Sequence, residues 1–247
     1  MSRSNTQSFD SFVTYEGNHL AYAAMYEVAS NPDKPLSPLY IYSKTGLGKT
    51  HLVNAAAEMI AERGKVSYII VTTAERFRND YIYALRKQML PDYYAKYECA
   101  DLIIMEHFQH LSSCQEMQQI FHEFFDLLQE KGKQIILTAD VPPAHLIDFD
   151  KSLLSKISSG YVIEIEAPKY DDRIAILEDE MQPVLDERKI AVDEDDLDEI
   201  FSIIANSETE DIRQMKGWLT RVIGFAALLE EEINMAFAEK ILRSLNK

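Results

Sequence analysis

Cysteine, glycine, proline and long apolar runs are all scarce in this sequence. Only Cys99 and Cys114 are present, too few for a disulfide framework or a tetrahedral zinc site, so we expect two reduced thiols. No stretch approaches the roughly 18 apolar residues of a membrane span, and the N-terminus lacks the apolar core of a secretion signal. Eight glycines and eight prolines in 247 residues exclude collagen-like and low-complexity chains. The sequence therefore predicts a globular protein that stays in the cytoplasm and has no membrane partner.

Positive charge is scarce as well. The chain has 25 Lys and Arg residues against 41 Asp and Glu residues, which gives a net charge of -16. Such a field repels a polyanion unless the basic residues are clustered, and this disfavours general coating of nucleic acid. The deficit is uneven, because residues 166–247 carry 10 basic and 21 acidic side chains, whereas residues 1–165 carry 15 and 20.

Short apolar runs alternate with longer helical patterns through the first two thirds of the chain. Five runs rich in Ile and Val are typical of buried strands: residues 39–42, 66–71, 102–105, 134–138 and 161–165. The clearest helical pattern covers residues 114–131, where apolar residues recur at three- and four-residue spacing. Because a β-α-β-α order requires a parallel sheet with right-handed crossovers, the sequence predicts an α/β fold.

After Pro168 the strand patterns stop. Four helical segments follow, at residues 171–189, 195–206, 211–229 and 233–245. We therefore predict two domains, an α/β domain over residues 1–166 and a small helical domain over residues 167–247, with a short hinge near Pro168.

A motif typical of phosphate binding follows the first predicted strand. Its residues are Ser43, Lys44, Thr45, Gly46, Leu47, Gly48, Lys49, Thr50 and His51. In a P-loop, backbone N–H groups and a helix N-terminus face the phosphates, Lys49 would reach the β and γ groups, and Thr50 would bind Mg²⁺. The strict pattern has glycine in place of Ser43, where a Cβ can resist the required backbone conformation. The alternative interpretation is an ordinary glycine-containing turn between a strand and a helix.

The end of the third predicted strand carries the candidate hydrolytic residues. Glu106 can hold Mg²⁺ together with Thr50, and His107 stands where a second acid would orient the attacking water. A histidine is no anionic base, and it is cationic only near about pH 6.5 or below. We therefore expect nucleotide binding with weak or absent hydrolysis. In one alternative the pattern shifts by a residue, so that Glu106 is the base and Met105 stands where the metal needs oxygen. The others are that His107 or another acid orients the water, and that His107 and His110 are surface residues at the end of the strand.

Three segments together resemble the AAA+ domain of the bacterial replication initiator DnaA: YIYSKTGLGKTHLVNAAAEMI, DLIIMEHFQHL and KQIILTADVPP. The resemblance extends over about residues 9–245. It implies a AAA+ P-loop NTPase with a five-stranded parallel sheet flanked by helices and a small all-helical lid. It also implies ATP or ADP as the ligand, with Mg²⁺.

The resemblance assigns roles to residues outside the loop. Asn18, with the segment 9–13, would wrap the adenine. Thr138 would lie at the end of the sensor 1 strand, as a third candidate catalytic residue beside Glu106 and His107. Arg213 would be the sensor 2 arginine, whose planar fork of donors suits a phosphate. A solvent-exposed helix arginine is the alternative interpretation of Arg213.

The sequence departs from the family pattern in two further places. Residues 150–157 contain two lysines and no arginine, where the family has an arginine-rich segment that reaches a neighbour's ATP. Lysine lacks the bidentate fork of arginine, so stabilisation of ATP across a homo-oligomer should be weak. The 247 residues match one AAA+ module, so we expect neither the N-terminal helicase-interaction domain nor the C-terminal duplex-reading domain of the family. We therefore expect no sequence-specific binding of duplex DNA.

Basic and aromatic residues interleave between the second and third strands, over residues 75–96. The basic residues include Arg76, Arg78, Arg86 and Lys87, and the aromatic residues are Phe77, Tyr81, Tyr83, Tyr93 and Tyr94. In the family this insertion contacts single-stranded DNA, and such a surface combines positive charge with rings on which bases stack. The alternative is that the aromatic residues belong to the core and that the Arg and Lys residues form a solvated face.

Three functions follow from these expectations. The first is a DnaA-like regulatory protein that binds ATP or ADP and acts on the replication initiator or another replication protein, as the Hda-like relatives do. The second is a catalytically dead, nucleotide-gated adaptor or scaffold for a protein partner. The third is an ATPase resembling a helicase loader, with affinity for single-stranded DNA. Each is compatible with a homo-oligomer.

Overall fold

A computed structural model gives the fold of residues 7–32, 34–64, 66, 68–112, 114–188, 192, 194–207, 209–229 and 231–245. These residues form two compact units. The first, which we call the sheet unit, comprises residues 7–44 and 48–166. The second, which we call the helical unit, comprises residues 45–47 and 167–245.

A five-stranded parallel sheet forms the centre of the sheet unit. Its strands are β1 Leu39–Tyr42, β2 Ile69–Thr73, β3 Leu102–Glu106, β4 Gln134–Ala139 and β5 Tyr161–Glu164. Their spatial order is β2-β3-β4-β1-β5, so that β1 lies between β4 and β5. The predicted parallel sheet is confirmed. Since the strands are parallel, the segments that follow β1, β3 and β4 all leave from one edge of the sheet, where α/β proteins bind ligands.

Six helices accompany the sheet: α1 His19–Ser30, α2 Lys49–Arg63, α3 Ala74–Lys87, α4 Leu90–Glu98, α5 Gln115–Glu130 and α6 Lys151–Ser158. Helix α5 shows why these segments are helical, because its apolar residues recur at three- and four-residue spacing and bury Phe121, Phe124, Phe125 and Leu128. These side chains join one continuous core with residues of α3, α4 and α6 and with alternate residues of the strands.

The aromatic residues of α3 and α4 belong to this core. Phe77 is fully buried, and its ring centroid lies 5.1 Å from that of Tyr97 and 5.9 Å from that of Phe121. Burial also raises the pKa of Tyr93 and Tyr97 above the ordinary value of a phenol. The core interpretation of Phe77, Tyr81 and Tyr93 is therefore correct, Tyr94 is partly buried against the same core, and Tyr83 is 60% exposed.

The helical unit contains α7 Tyr170–Arg188, α8 Glu194–Ala205, α9 Ile212–Leu229 and α10 Met235–Leu245, which pack around a core of their own. The guanidinium of Arg173 donates to the carbonyl oxygens of Ala205 and Ser207, both at 3.0 Å, and so satisfies the end of α8. Asp211 caps α9, because its Oδ1 accepts the N–H of Arg213 at 2.8 Å. Among the described residues, no helix is both long enough and apolar enough to cross a membrane.

A pair of substitutions on α3 tests the assignment of its two faces. We expect Phe77→Ala to lower the free energy of unfolding by about 3–5 kcal/mol, because it empties a fully buried site. Tyr83→Ala on the same helix should change it by less than about 0.5 kcal/mol, since this ring is mostly exposed. Urea unfolding followed by circular dichroism measures both values. Similar losses for the two variants would contradict the assignment.

Candidate functional site

The loop between β1 and α2 is built around two glycines that need a left-handed backbone. Gly46 has φ +87° and Gly48 has φ +101°. A Cβ added at Gly48 would also lie 2.9 Å from Cε2 of Phe12, closer than side chains pack. Gly48 is the N-cap of α2, so it offers no side chain to the first N–H groups of the helix. These donors, at the positive end of the helix dipole, are a ready site for an anion.

Ser43, which occupies the position of the missing glycine, fits its place without backbone strain. It is 2% exposed, and it is not among the residues of positive φ. Its hydroxyl donates to the carbonyl oxygen of Lys44 at 2.9 Å and accepts from Nζ of Lys49 at 3.0 Å. The backbone conformation at this position therefore does not require glycine.

Lys49 places a buried ammonium against the loop. Its Nζ donates to the carbonyl oxygens of Ser43 at 2.6 Å and Lys44 at 3.2 Å, and lies 2.9 Å from Oδ1 of Asp140. Only 7% of the side chain is exposed. Since a buried charge is costly unless it is paired and hydrogen-bonded, these acceptors hold the lysine within the loop. The remaining loop residues differ in burial, with Thr45 exposed and Leu47 buried.

Gln109 joins the site as a residue that the sequence analysis missed. Its Nε2 donates to Oδ2 of Asp140 at 2.7 Å, so the carboxylate of Asp140 connects Gln109 to Lys49. The Oε1 of Gln109 is buried and has no hydrogen-bond partner among the described residues. The signal that could have found Gln109 is its position three residues after the acid that ends β3.

Thr50 and Glu106 meet across the same edge of the sheet. The hydroxyl of Thr50, in the first turn of α2, donates to Oε2 of Glu106 at 2.6 Å. Glu106 ends β3 and is 9% exposed. The sequence predicted these two oxygens as a pair of metal ligands, and the structure brings them together. Within the described ranges, no three His, Cys, Asp or Glu side chains cluster as a metal site by themselves.

His107 leaves β3 in an unusual conformation. Its φ is +55°, which is uncommon for any residue other than glycine. The ring stacks on His110, with centroids 5.6 Å apart and planes inclined by 15°. Both residues therefore form a stacked pair after the strand, in which His110 is exposed and His107 is half-buried. A role of His107 in hydrolysis stays a prediction.

Asn18 and His51 both contact residues of the N-terminal segment. The side chain of Asn18 accepts from the N–H of Tyr15 at 2.8 Å and donates to the carbonyl oxygen of Val13 at 3.0 Å. Nε2 of His51 lies 2.8 Å from the carbonyl oxygen of Ser8. The ring of Phe12 also meets that of His51 edge to face, at 5.1 Å. The His51 contacts dock the N-terminal segment on the start of α2, whereas Asn18 fixes the local shape of that segment.

Two further predicted residues occupy different elements. Thr138 lies in β4, where it is paired in register with Ile41 of β1 and is 1% exposed. Arg213 is exposed in the first turn of α9 and belongs to the helical unit. Their predicted roles at sensor 1 and sensor 2 remain predictions.

The segment without arginine, residues 150–157, forms the N-cap and body of α6. Nζ of Lys156 is paired with the carboxylate of Asp126 and lies 2.9 Å from Nε2 of His122. Nδ1 of the same histidine lies 3.4 Å from Oδ1 of Asp150. Lys156 is thus engaged within its own chain, whereas Lys151 is exposed.

Comparison with known proteins identifies the family. The family model "Bacterial DnaA ATPAse domain" matches residues 4–164. The chain belongs to the bacterial DnaA ATPase domain family. The sheet unit and the helical C-terminal region correspond to the AAA+ fold of this family: domain III of the replication initiation protein DnaA from Thermotoga maritima superposes with a TM-score of 0.85. It is 26% identical, and the match covers 98% of this chain and 97% of that domain.

Two ligand-bound DnaA structures are also similar. AMPPCP-bound DnaA from Aquifex aeolicus is 26% identical with a TM-score of 0.80, and the match covers 98% of this chain and 70% of that one. A replication initiator DnaA bound to AMPPCP and single-stranded DNA is 27% identical with a TM-score of 0.74. That match covers 88% of this chain and 64% of the initiator, so the present chain spans less than two thirds of it.

A substitution in the DnaA-type loop tests its steric design. Gly48→Ala adds a Cβ to a residue of positive φ and drives it against Phe12, so we expect a loss of about 2–4 kcal/mol in the free energy of unfolding. Gly64→Ala is the matched control, because it shares the positive φ, while its Cβ would meet no described atom within 4 Å. Urea unfolding compares the two variants. Equal losses would show that Phe12 does not constrain the loop.

Proposed function

We propose that this chain is a nucleotide-binding protein of bacterial replication initiation that binds ATP or ADP and hydrolyses ATP weakly or not at all. The observation that carries the proposal is the start of α2, where the buried ammonium of Lys49 lies beside two glycines of positive φ. In this proposal the sheet unit is the nucleotide-binding domain, and the helical unit is a lid that begins after a hinge near Pro168 and supplies Arg213.

The loop fits the phosphates of a nucleotide. A Cβ at Gly48 would fill the space beside the helix N-terminus, whereas glycine keeps the backbone N–H groups approachable. Lys49 can exchange its contact with the Asp140 carboxylate for a contact with phosphate oxygens, which carry the same sign of charge. The loop is completed by Ser43, Lys44, Thr45, Gly46, Leu47 and Thr50. His51 holds the N-terminal segment beside it, and Asn18 fixes the local shape of that segment.

Thr50 and Glu106 fit a Mg²⁺ ion that accompanies the phosphates. Their side-chain oxygens are 2.6 Å apart, and Mg²⁺ in nucleotide sites uses one or two protein oxygens besides phosphate and water. The hydroxyl and the carboxylate would hold the ion from the protein side. When bound, Mg²⁺ neutralises negative charge on the phosphates.

Weak hydrolysis follows from the residues around Glu106. The position after Glu106 holds His107, which stacks on His110 and is no carboxylate. The carboxylate of Asp140 is engaged by both Lys49 and Gln109. Efficient hydrolysis needs a group that orients and activates water, so an engaged acid and a stacked histidine favour slow turnover.

Removal of Lys49 tests the proposal. Lys49→Ala should weaken binding of a fluorescent ATP analogue at least about tenfold, since it deletes the cation that meets the phosphates. Lys34→Ala is the matched control, because it removes the same charge from an exposed side chain that lies outside the loop. Wild-type turnover of ATP should stay well below about 1 per second. Binding that is absent at millimolar nucleotide would contradict the proposal and leave the adaptor function, while fast turnover would contradict weak hydrolysis.

The same site suits a regulator that switches with ADP or ATP and acts on the replication initiator or another replication protein. The ammonium of Lys156 is already paired with Asp126 of its own chain, which supports weak stabilisation of an ATP bound to a neighbouring copy. Homo-oligomers therefore need contacts other than this lysine.

Single-stranded DNA is a second candidate ligand, favoured by the outer face of α3. Arg76, Arg86 and Lys87 are exposed there and Arg78 is half-buried, with the exposed ring of Tyr83 among them. A related DnaA has been solved with single-stranded DNA. The burial of Phe77, Tyr81 and Tyr93 leaves fewer rings for stacking, so binding would rest mainly on charge and would fall steeply with salt.

Charge removal on α3 distinguishes this candidate. The double variant Arg76→Ala and Arg86→Ala should weaken binding of a fluorescent oligo-dT at least about tenfold at low salt, because two phosphate contacts are lost. Lys34→Ala with Lys131→Ala is the control, since it removes the same charge at exposed positions outside α3. Equal effects in the two double variants would indicate non-specific attraction, and wild-type protein that fails to bind would exclude the loader-like function.

A further inference from the structure

An open groove lies on the surface of the helical unit, between α8 and the start of α10. Its volume is about 350 Å³, and it is lined by Asp198, Glu199, Ser202, Ile203 and Met235. Ile203 is 39% exposed, whereas Ile200, Phe201 and Ile204 of the same helix are buried. The groove therefore presents apolar surface to solvent, with two carboxylates among its lining residues.

The walls of the groove are held by hydrogen bonds within the helical unit. Oδ1 of Asp196 accepts the N–H of Met235 at 3.0 Å, which joins the start of α10 to α8. The hydroxyl of Tyr170 donates to Oγ of Ser202 at 3.0 Å, which joins α7 to the same helix. Oδ1 of Asn234 caps α10 by accepting the N–H of Phe237 at 3.0 Å. A groove fixed in this way is preformed, so a partner would bind without first ordering it.

The charged residues that line the groove, and all charged residues of α8, are acidic. Helix α8 contains five acidic and no basic residues among its twelve. Asp198 and Glu199 are both exposed, and each stands one helical turn before Ser202 and Ile203 respectively. Two further exposed acids, Glu231 and Glu232, precede α10. Such a rim repels nucleic acid and acidic peptides and attracts Lys and Arg side chains.

We propose that this groove docks a basic amphipathic segment of a partner protein. Apolar side chains of the segment would cover Ile203 and Met235, and its Lys or Arg residues would pair with Asp198 and Glu199. A helix laid in a groove combines these two features, with apolar anchors on one face and charged residues beside them. The inference goes beyond the proposed function, because it concerns a surface of the helical unit and none of the residues that would hold nucleotide.

Synthetic peptides of defined chemistry test the surface on the full-length chain. The probe is a fluorescent 14-residue peptide of Leu and Lys, with Leu at helical spacing. We expect it to bind with increased fluorescence anisotropy, whereas the equivalent Leu/Glu peptide and a Ser/Lys peptide of the same charge should bind at least about tenfold more weakly. No binding of the Leu/Lys peptide would overturn the proposal. Equally tight binding of the Ser/Lys peptide would also overturn it, because attraction would then depend on charge alone.

Variants of the groove locate the binding. Asp198→Lys with Glu199→Lys should abolish binding of the Leu/Lys peptide, while Glu58→Lys with Glu62→Lys makes the same change of net charge on exposed residues of α2 and should leave most of it. Ile203→Ser removes the apolar anchor without altering charge, and it should weaken binding at least about fivefold while preserving the helical circular dichroism. Equal losses in the two charge variants, together with unchanged binding by Ile203→Ser, would place the peptide elsewhere and overturn the proposal.

Discussion

The buried ammonium of Lys49 is the contact on which the candidate site depends. It joins the end of β1, through Ser43 and Lys44, to the segment after β4, through Asp140. Gln109 extends the connection to the segment after β3. The segments that follow three of the five strands are therefore linked to one charge, directly or through Asp140. Because an ammonium without partners is costly in a buried position, a ligand can take Lys49 from Asp140 only by supplying comparable negative charge.

The fold was largely predictable from the sequence, because the hydrophobic periods of strands and helices are local signals. The predicted runs match the observed strands closely, except that β2 begins at Ile69 and not at residue 66. The reason lies in its partner. β3 begins at Leu102. Just before it, Asp101 donates its N–H to the carbonyl oxygen of Tyr68 and accepts the N–H of Tyr68 at its carboxylate, so the pairing of β2 and β3 begins here. Pairing between distant segments thus sets where a strand begins, and no local pattern records it.

The candidate site was predictable only in part. Glycine and lysine in GLGKT marked the loop, because their roles depend on local backbone conformation and charge. The position of Glu106 at the end of an apolar strand marked the acid that reaches Thr50. The contact of His51 with Ser8 is a tertiary hydrogen bond that the sequence does not reveal, whereas Asn18 bonds Val13 and Tyr15 within its own segment. Similarly, the composition of residues 75–96 could not separate buried aromatic rings from exposed basic side chains. The four-residue spacing of Phe77 and Tyr81, however, is typical of one buried helix face.

The contact between Phe12 and Gly48 has an evolutionary consequence. Position 48 is constrained twice, once by its own φ of +101° and once by a ring from the N-terminal segment. A smaller residue at position 12 would relieve only the second constraint, so the two positions are not free to compensate for each other. Descendants of this sequence can therefore lose the aromatic ring and keep the glycine, whereas loss of the glycine first carries both the backbone strain and the contact with Phe12.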